Sequence, residues 1–114
     1  MKKLKLYFEI VLVSLPMASH VTNVFASELP HFKKHESYMS VRTKMMQAGW
    51  KPYHANGADT CVLGDTRCQG RPEMEACAGS GKANCRFLWA KEGKTAAICT
   101  VGEDAVFDNV CKAP

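Results

Sequence analysis

CRFLWAKEGKTAAICTV, residues 85–101, carries the strongest β signal in the chain: two runs of aromatic and β-branched residues around Glu92-Gly93. With Lys91, Glu92 and Gly93 as a three-residue loop and Gly93 at its positive-φ position, Ala90 pairs with Lys94. Cys85 then lies opposite Cys99 in a non-hydrogen-bonded pair, the closer of the two antiparallel kinds. That register puts Phe87, Trp89, Ala97 and Val101 on the cysteines' face, which becomes the expected core side, and it favours a Cys85–Cys99 bridge. A one-residue shift sends the two cysteines to opposite faces. The chain's six cysteines (Cys61, Cys68, Cys77, Cys85, Cys99 and Cys111) allow 15 pairings. The rival set is nearest-neighbour: 61 with 68, 77 with 85, 99 with 111.

Upstream of the hairpin, CQGRPEMEACAGSGKANC (68–85) places Pro72 where a first helical turn accepts it. Glu73 and Glu75 follow near the positive end of the helix dipole, and Gly79 is a stop. A short helix over 72–78 is expected, tied down by Cys77. Further back, YMSVRTKMMQAG spaces Tyr38, Val41, Met45 and Ala48 along one helical stripe, with Ser37 as N-cap and Gly49 at the C-terminal end. Tyr53 to Ala55 make a short strand before the Asn56-Gly57 turn, and Gly64-Asp65 marks another turn between Cys61 and Cys68. Downstream, Val106, Phe107 and Val110 are apolar enough to pack and Cys111 fastens the tail. The expected fold is α+β: a small disulfide-stabilised domain with an N-terminal helix, an antiparallel hairpin or sheet and a short second helix.

The chain opens with Lys2, Lys3 and Lys5 ahead of the apolar run Ile10 to Leu15, and Val24-Phe25-Ala26 suits a signal peptidase. Residues 1–26 read as a cleaved signal peptide, too short and too interrupted by Pro16, Ser19 and His20 to remain as a membrane span. Removing them from the 114-residue chain leaves 88 residues and lowers the formal charge from +4 to +2, since the leader carries three lysines and one glutamate. Ser27 to Glu36 has no apolar period and reads as a mobile lead-in, leaving one domain at 37–114. A domain this small gains only a thin margin from its core, so three disulfides in an exported chain are the expected supplement. The mild charge, without basic blocks, excludes the electrostatic footprint of a nucleic-acid binder.

The motifs for chemistry fail one by one. Gly79-Ser80-Gly81-Lys82 has Ala76 where a phosphate loop needs its first glycine and Ala83 where it needs a hydroxyl. No C-x2-4-C pair offers a zinc knuckle and no C-x-x-C a redox motif. Ser80 lacks the G-x-S-x-G elbow. His31 and His35 fall in the lead-in and His54 at a strand, and the pairs Glu73 with Glu75 and Glu103 with Asp104 read as helix and loop carboxylates. No catalytic residue, cofactor or metal ligand is expected. Arg71 and Lys82 are the candidate partner-binding residues, Arg71 compromised as a protease-facing anchor by Pro72 directly after it.

Gly49 to Pro52 (GWKP), Gly64 to Gly81 (GDTRCQGRPEMEACAGSG), Cys85 to Trp89 (CRFLW) and Cys99 to Glu103 (CTVGE) together resemble a family of small secreted cysteine-rich proteins of Gram-negative bacteria, mostly labelled hypothetical. The resemblance spans Tyr38 to Cys111 and implies a periplasmic or secreted setting, without an activity or catalytic residue. The expected function is a non-catalytic, monomeric interaction module acting on an unknown protein partner. The alternative is an inhibitor or immunity-type protein directed at an envelope hydrolase or protease.

Overall fold

The structure, a computed structural model, describes residues 28–114 and the isolated Ser14. The expected signal peptide over 1–26 and its expected cleavage site lie, Ser14 apart, outside the described residues. Among the described residues one helix, α1 (Tyr38–Gln47), precedes strands β1 (Lys51–Pro52), β2 (Met74–Cys77), β3 (Cys85–Lys91), β4 (Lys94–Val101) and β5 (Val106–Cys111). They form an antiparallel five-stranded sheet. β4 lies between β3 and β5, while β1 and β2 share the other edge of β3, β1 at Ala90 and Trp89 and β2 from Phe87 to Cys85.

The hairpin register differs from the expected one by a single residue. Its loop is the two residues Glu92 and Gly93, both at positive φ (50° and 77°), closed by Lys91 opposite Lys94. Two left-handed residues give a turn that matches the twist of the flanking strands. The sequence disguises it by placing glutamate where Asn, Asp or Gly is usual. Cys85 consequently faces Thr100, and Cys99 faces Arg86. Ala96, Ile98 and Thr100, and not Ala97 and Val101, join Phe87 and Trp89 on the core face. Cys99 turns to the opposite face, and the Cys85–Cys99 bridge gives way to the nearest-neighbour set: Cys61–Cys68, Cys77–Cys85 and Cys99–Cys111.

The short second helix is a strand. β2 pairs Met74 with Phe87 and Cys77 with Cys85, with an irregularity between Met74 and Ala76 that leaves Glu75 as the extra residue. Seven residues cannot hold a helix by themselves, whereas the free edge of β3 satisfies their backbone: the Leu88 N–H donates to the Glu73 carbonyl at 2.8 Å. The expected strand at 53–55 is likewise displaced, to Lys51–Pro52, followed by a Tyr53 N–H bond to the Leu88 carbonyl at 3.0 Å.

α1 lies against the core face of the sheet. Its Ser37 cap accepts from the Ser40 N–H, and Tyr38, Val41 and Met45 are buried. The Tyr38 ring stacks on Phe87 at 3.8 Å between centroids. Its hydroxyl accepts from Trp89 Nε1 at 3.2 Å and donates to Glu73 Oε1 at 3.0 Å. Glu73, fully buried, is completed by Arg42, whose Nε donates to Oε1 at 2.6 Å. A buried carboxylate is tolerated only with such partners, so Glu73 fastens the start of β2 to α1. Burial first, and the adjacent Glu73 charge second, hold the Tyr38 hydroxyl protonated far above the usual tyrosine range.

Residues 28–36 have contacts of their own with β5. Phe32 packs on Phe107 at 5.1 Å, the Phe107 N–H donates to the Glu36 carbonyl at 2.7 Å, and His35 N–H donates to the Phe107 carbonyl at 3.0 Å. Lys44 bonds Glu36 Oε1 at 2.8 Å and holds that carboxyl below its ordinary pKa.

Candidate docking loop

The segment CVLGDTRC, Cys61 to Cys68, joins the 53–60 turn region to β2 and is closed on itself by a disulfide. The Asp65 N–H donates to the Val62 carbonyl at 2.9 Å, with Gly64 third in the turn at φ 87°. A type II turn demands that conformation, which glycine adopts without strain. The turn places Leu63 at its crest, 96% exposed, beside Val62 at 73%.

The base of the loop is clamped by Arg67. Its Nε and Nη2 donate to the two carboxylate oxygens of Asp65 at 2.9 and 2.6 Å, and its own backbone N–H adds a third bond to Oδ1 at 3.0 Å. Nη1 donates to the carbonyls of Ala78 and Ala83 at 2.8 and 3.1 Å, which ties the loop to the turn beyond β2. This fork-on-carboxylate geometry is the strong form of an ion pair. The bonds from Arg67 hold the Asp65 carboxyl below the usual aspartate range, and Asp65 in turn raises the guanidinium.

Arg71 links the loop to the core: its Nη1 donates to the Arg67 carbonyl at 2.8 Å, and its guanidinium lies 4.8 Å from the Tyr38 ring centroid. Such a cation over an aromatic face is itself stabilising. Arg71, half-buried, therefore braces the 61–68 loop from behind. Lys82 is exposed in the 79–83 turn, next to the Ala83 carbonyl that receives Arg67.

Two adjoining clefts of about 410 and 450 Å³ flank the loop and share Asp59, Thr60, Cys61, Cys68 and Met74. His54 lines the first, with its Nδ1 3.1 Å from the Pro72 carbonyl. His54, Asp59 and Thr60 thus meet at one cleft, a base, a carboxylate and a hydroxyl, but among the described residues no hydrogen bond joins any two of them. A nucleophile needs a base within reach. Comparison with known proteins finds no matching family model, no matching curated protein and no matching solved structure.

Asp65, Cys68 and Cys77 bring one oxygen and two sulfurs within 4.8 Å of one another. Both sulfurs are in disulfides, so neither is the thiolate a metal requires. Ser80 sits in the exposed turn after β2, and Glu103 and Asp104 in the exposed turn before β5. Sequence reasoning passed over Val62 and Leu63. The available signal was two adjacent aliphatic residues inside a cysteine-closed segment too short to bury them.

Proposed function

We propose that the protein is an exported, non-catalytic interaction module that engages a protein partner through the 61–68 loop, with Leu63 as the anchor and Val62 beside it. The carrying observation is the near-complete exposure of Leu63 on a turn fixed by a disulfide, a glycine and a five-bonded arginine. A single exposed aliphatic side chain is ordinary on a protein surface. One held at the crest of a braced turn has its ordering cost met before binding, which is what favours affinity in a protruding loop. Three disulfides fit an oxidising compartment outside the cytoplasm, and no helix among the described residues is long and apolar enough to cross a membrane. With the leader reading and the resemblance to small secreted proteins, they support a periplasmic or secreted setting.

The loop's shape also supports the more specific reading of an inhibitor or immunity-type protein, because a stiff protrusion with an apolar tip fits a concave enzyme cleft. The test uses tagged mature protein and its Leu63→Asp variant against the exported fraction of the cells that make it. Burying one leucine is worth about 1.5–3 kcal/mol, so a partner held through Leu63 is recovered with the parent chain and weakened by about 10- to 100-fold in the variant. Equal recovery with both chains contradicts the docking role. A hydrolase or protease silenced in stoichiometric complex selects the inhibitor reading, and a partner with no such activity removes it.

A further inference from the structure

Two of the three disulfides meet at one place. Cys68 Sγ and Cys77 Sγ, from different bridges, lie within 4.8 Å of each other, and Cys61, Cys68 and Cys77 line the same 450 Å³ cleft. Accessibility grades across the group: Cys61 and Cys77 are half-exposed, and Cys68 and Cys85 are each 2% exposed. Cys99–Cys111, also half-exposed, lies elsewhere: Cys99 points to the sheet face opposite the one that carries Cys85.

We infer that Cys61–Cys68 is a thiol-accepting disulfide and that Cys77 is the sulfur through which the incoming electrons pass inward. The co-reactant is a small thiol of the glutathione type. Its thiolate attacks Cys61 Sγ, the reachable end of the bridge, forming a mixed disulfide at Cys61 while the electron pair of the broken bond leaves on Cys68. The Cys68 thiolate then attacks Cys77 Sγ, making a Cys68–Cys77 bond and breaking Cys77–Cys85. The electron pair leaves on Cys85, which takes a proton from solvent. The sum is one thiol added as a mixed disulfide and one protein thiol formed, with the number of disulfide bonds unchanged, as exchange chemistry requires.

The surroundings favour a stop at that point. Cys85 belongs to the apolar cluster with Phe87, Trp89 and Ile98, where a neutral thiol is tolerated as a small hydrophobe and its thiolate is disfavoured. The same burial makes Cys85 a poor leaving group, so the second step is slower than the first. The consequence reaches the docking loop: Cys68 moves to β2, Cys61 carries an adduct and the 61–68 staple opens. The chemistry stands without the proposed docking role, since it depends on the sulfurs alone.

The experiment treats the folded native protein with reduced glutathione, quenches with acid, alkylates after unfolding and maps the bridges by mass spectrometry. Expected are glutathione on Cys61 first, then loss of the Cys77–Cys85 peptide in step with the appearance of a Cys68–Cys77 peptide and alkylated Cys85. Glutathionylated Cys61 with Cys77–Cys85 intact and no Cys68–Cys77 peptide overturns the relay. A Cys61→Ser variant supplies a second route, because Cys68 then begins as a free thiol. On standing at mildly alkaline pH without reductant it converts to Cys68–Cys77 with Cys85 free; persistence of free Cys68 beside native Cys77–Cys85 overturns the proposal independently.

Discussion

From Cys85 to Thr100 the hairpin buries Phe87, Trp89 and Ile98 beneath α1 and Leu88 and Ala97 on its opposite face, all at 0% exposure. From Tyr53 to Pro72, by contrast, the only buried side chain is Cys68. The first region is ordered by apolar contact, with one buried charge network at Glu73. The second has almost nothing to bury and is ordered by a disulfide, the Asp65–Arg67 fork and bonds to neighbouring carbonyls. A region held by sulfur and side-chain clamps can leave its apolar residues outside, and that freedom lets Leu63 stand in solvent.

Substitution should separate the two regions. The largest effect is expected at Arg42→Ala, which strands the buried Glu73 carboxylate: breaking a buried pair from one side costs about 3–5 kcal/mol. Arg42 is 25% exposed, which favours the low end. Thermal or denaturant unfolding checks it against Arg86→Ala, which removes the more open pair with Glu75 at 3.3 Å and an exposed bond to the Lys112 carbonyl and should cost about 1 kcal/mol. Equal losses from the two would erase the distinction between core and surface charge.

Next comes removal of Cys61–Cys68 by paired alanine substitution. Closing so short a loop contributes about 2–3 kcal/mol through the entropy of the unfolded chain, so the free energy of unfolding should fall by that amount while α1 and the hairpin keep their near-ultraviolet signal. Loss of the Trp89 environment in the folded variant would mean that the staple supports the core as well.

A smaller effect concerns acid. Because Arg67 depresses the Asp65 pKa in the folded state, the pair's contribution is present above the ordinary aspartate value of about 4 and is lost as pH falls through the depressed one. Stability measured from pH 6 downward should decline less steeply in Asp65→Asn than in the parent chain; parallel curves would show that the fork does not couple to folding. The smallest change in stability, within about 0.5 kcal/mol, is expected at Leu63→Asp, since its side chain touches mainly water.

The hairpin's existence was legible from its composition, and the helical stripe of Tyr38, Val41 and Met45 is the buried face of α1. The register was not, because it depended on Glu92 adopting a left-handed conformation that glutamate seldom supplies. β2 was hidden for another reason: Pro72, Glu73 and Glu75 carry local helix signals, and the competing strand exists only because the distant β3 offers an edge and Arg42 and Tyr38 receive Glu73. The candidate site was half legible. Its cysteines and its turn at Gly64-Asp65 could be read, and Arg71 and Lys82 were singled out beside it, but the exposure of Leu63 follows from Arg67 reaching Asp65, Ala78 and Ala83 at once, which no spacing announces.

The docking role is open to direct trial by placing a photo-crosslinking amino acid at position 63 in one chain and at Met39, 70% exposed on α1, in another, and irradiating each in the exported fraction. A docking loop yields a discrete, saturable crosslinked partner from position 63 that excess parent protein displaces, and none from position 39. The same crosslinks from both positions, or none from position 63, would contradict it.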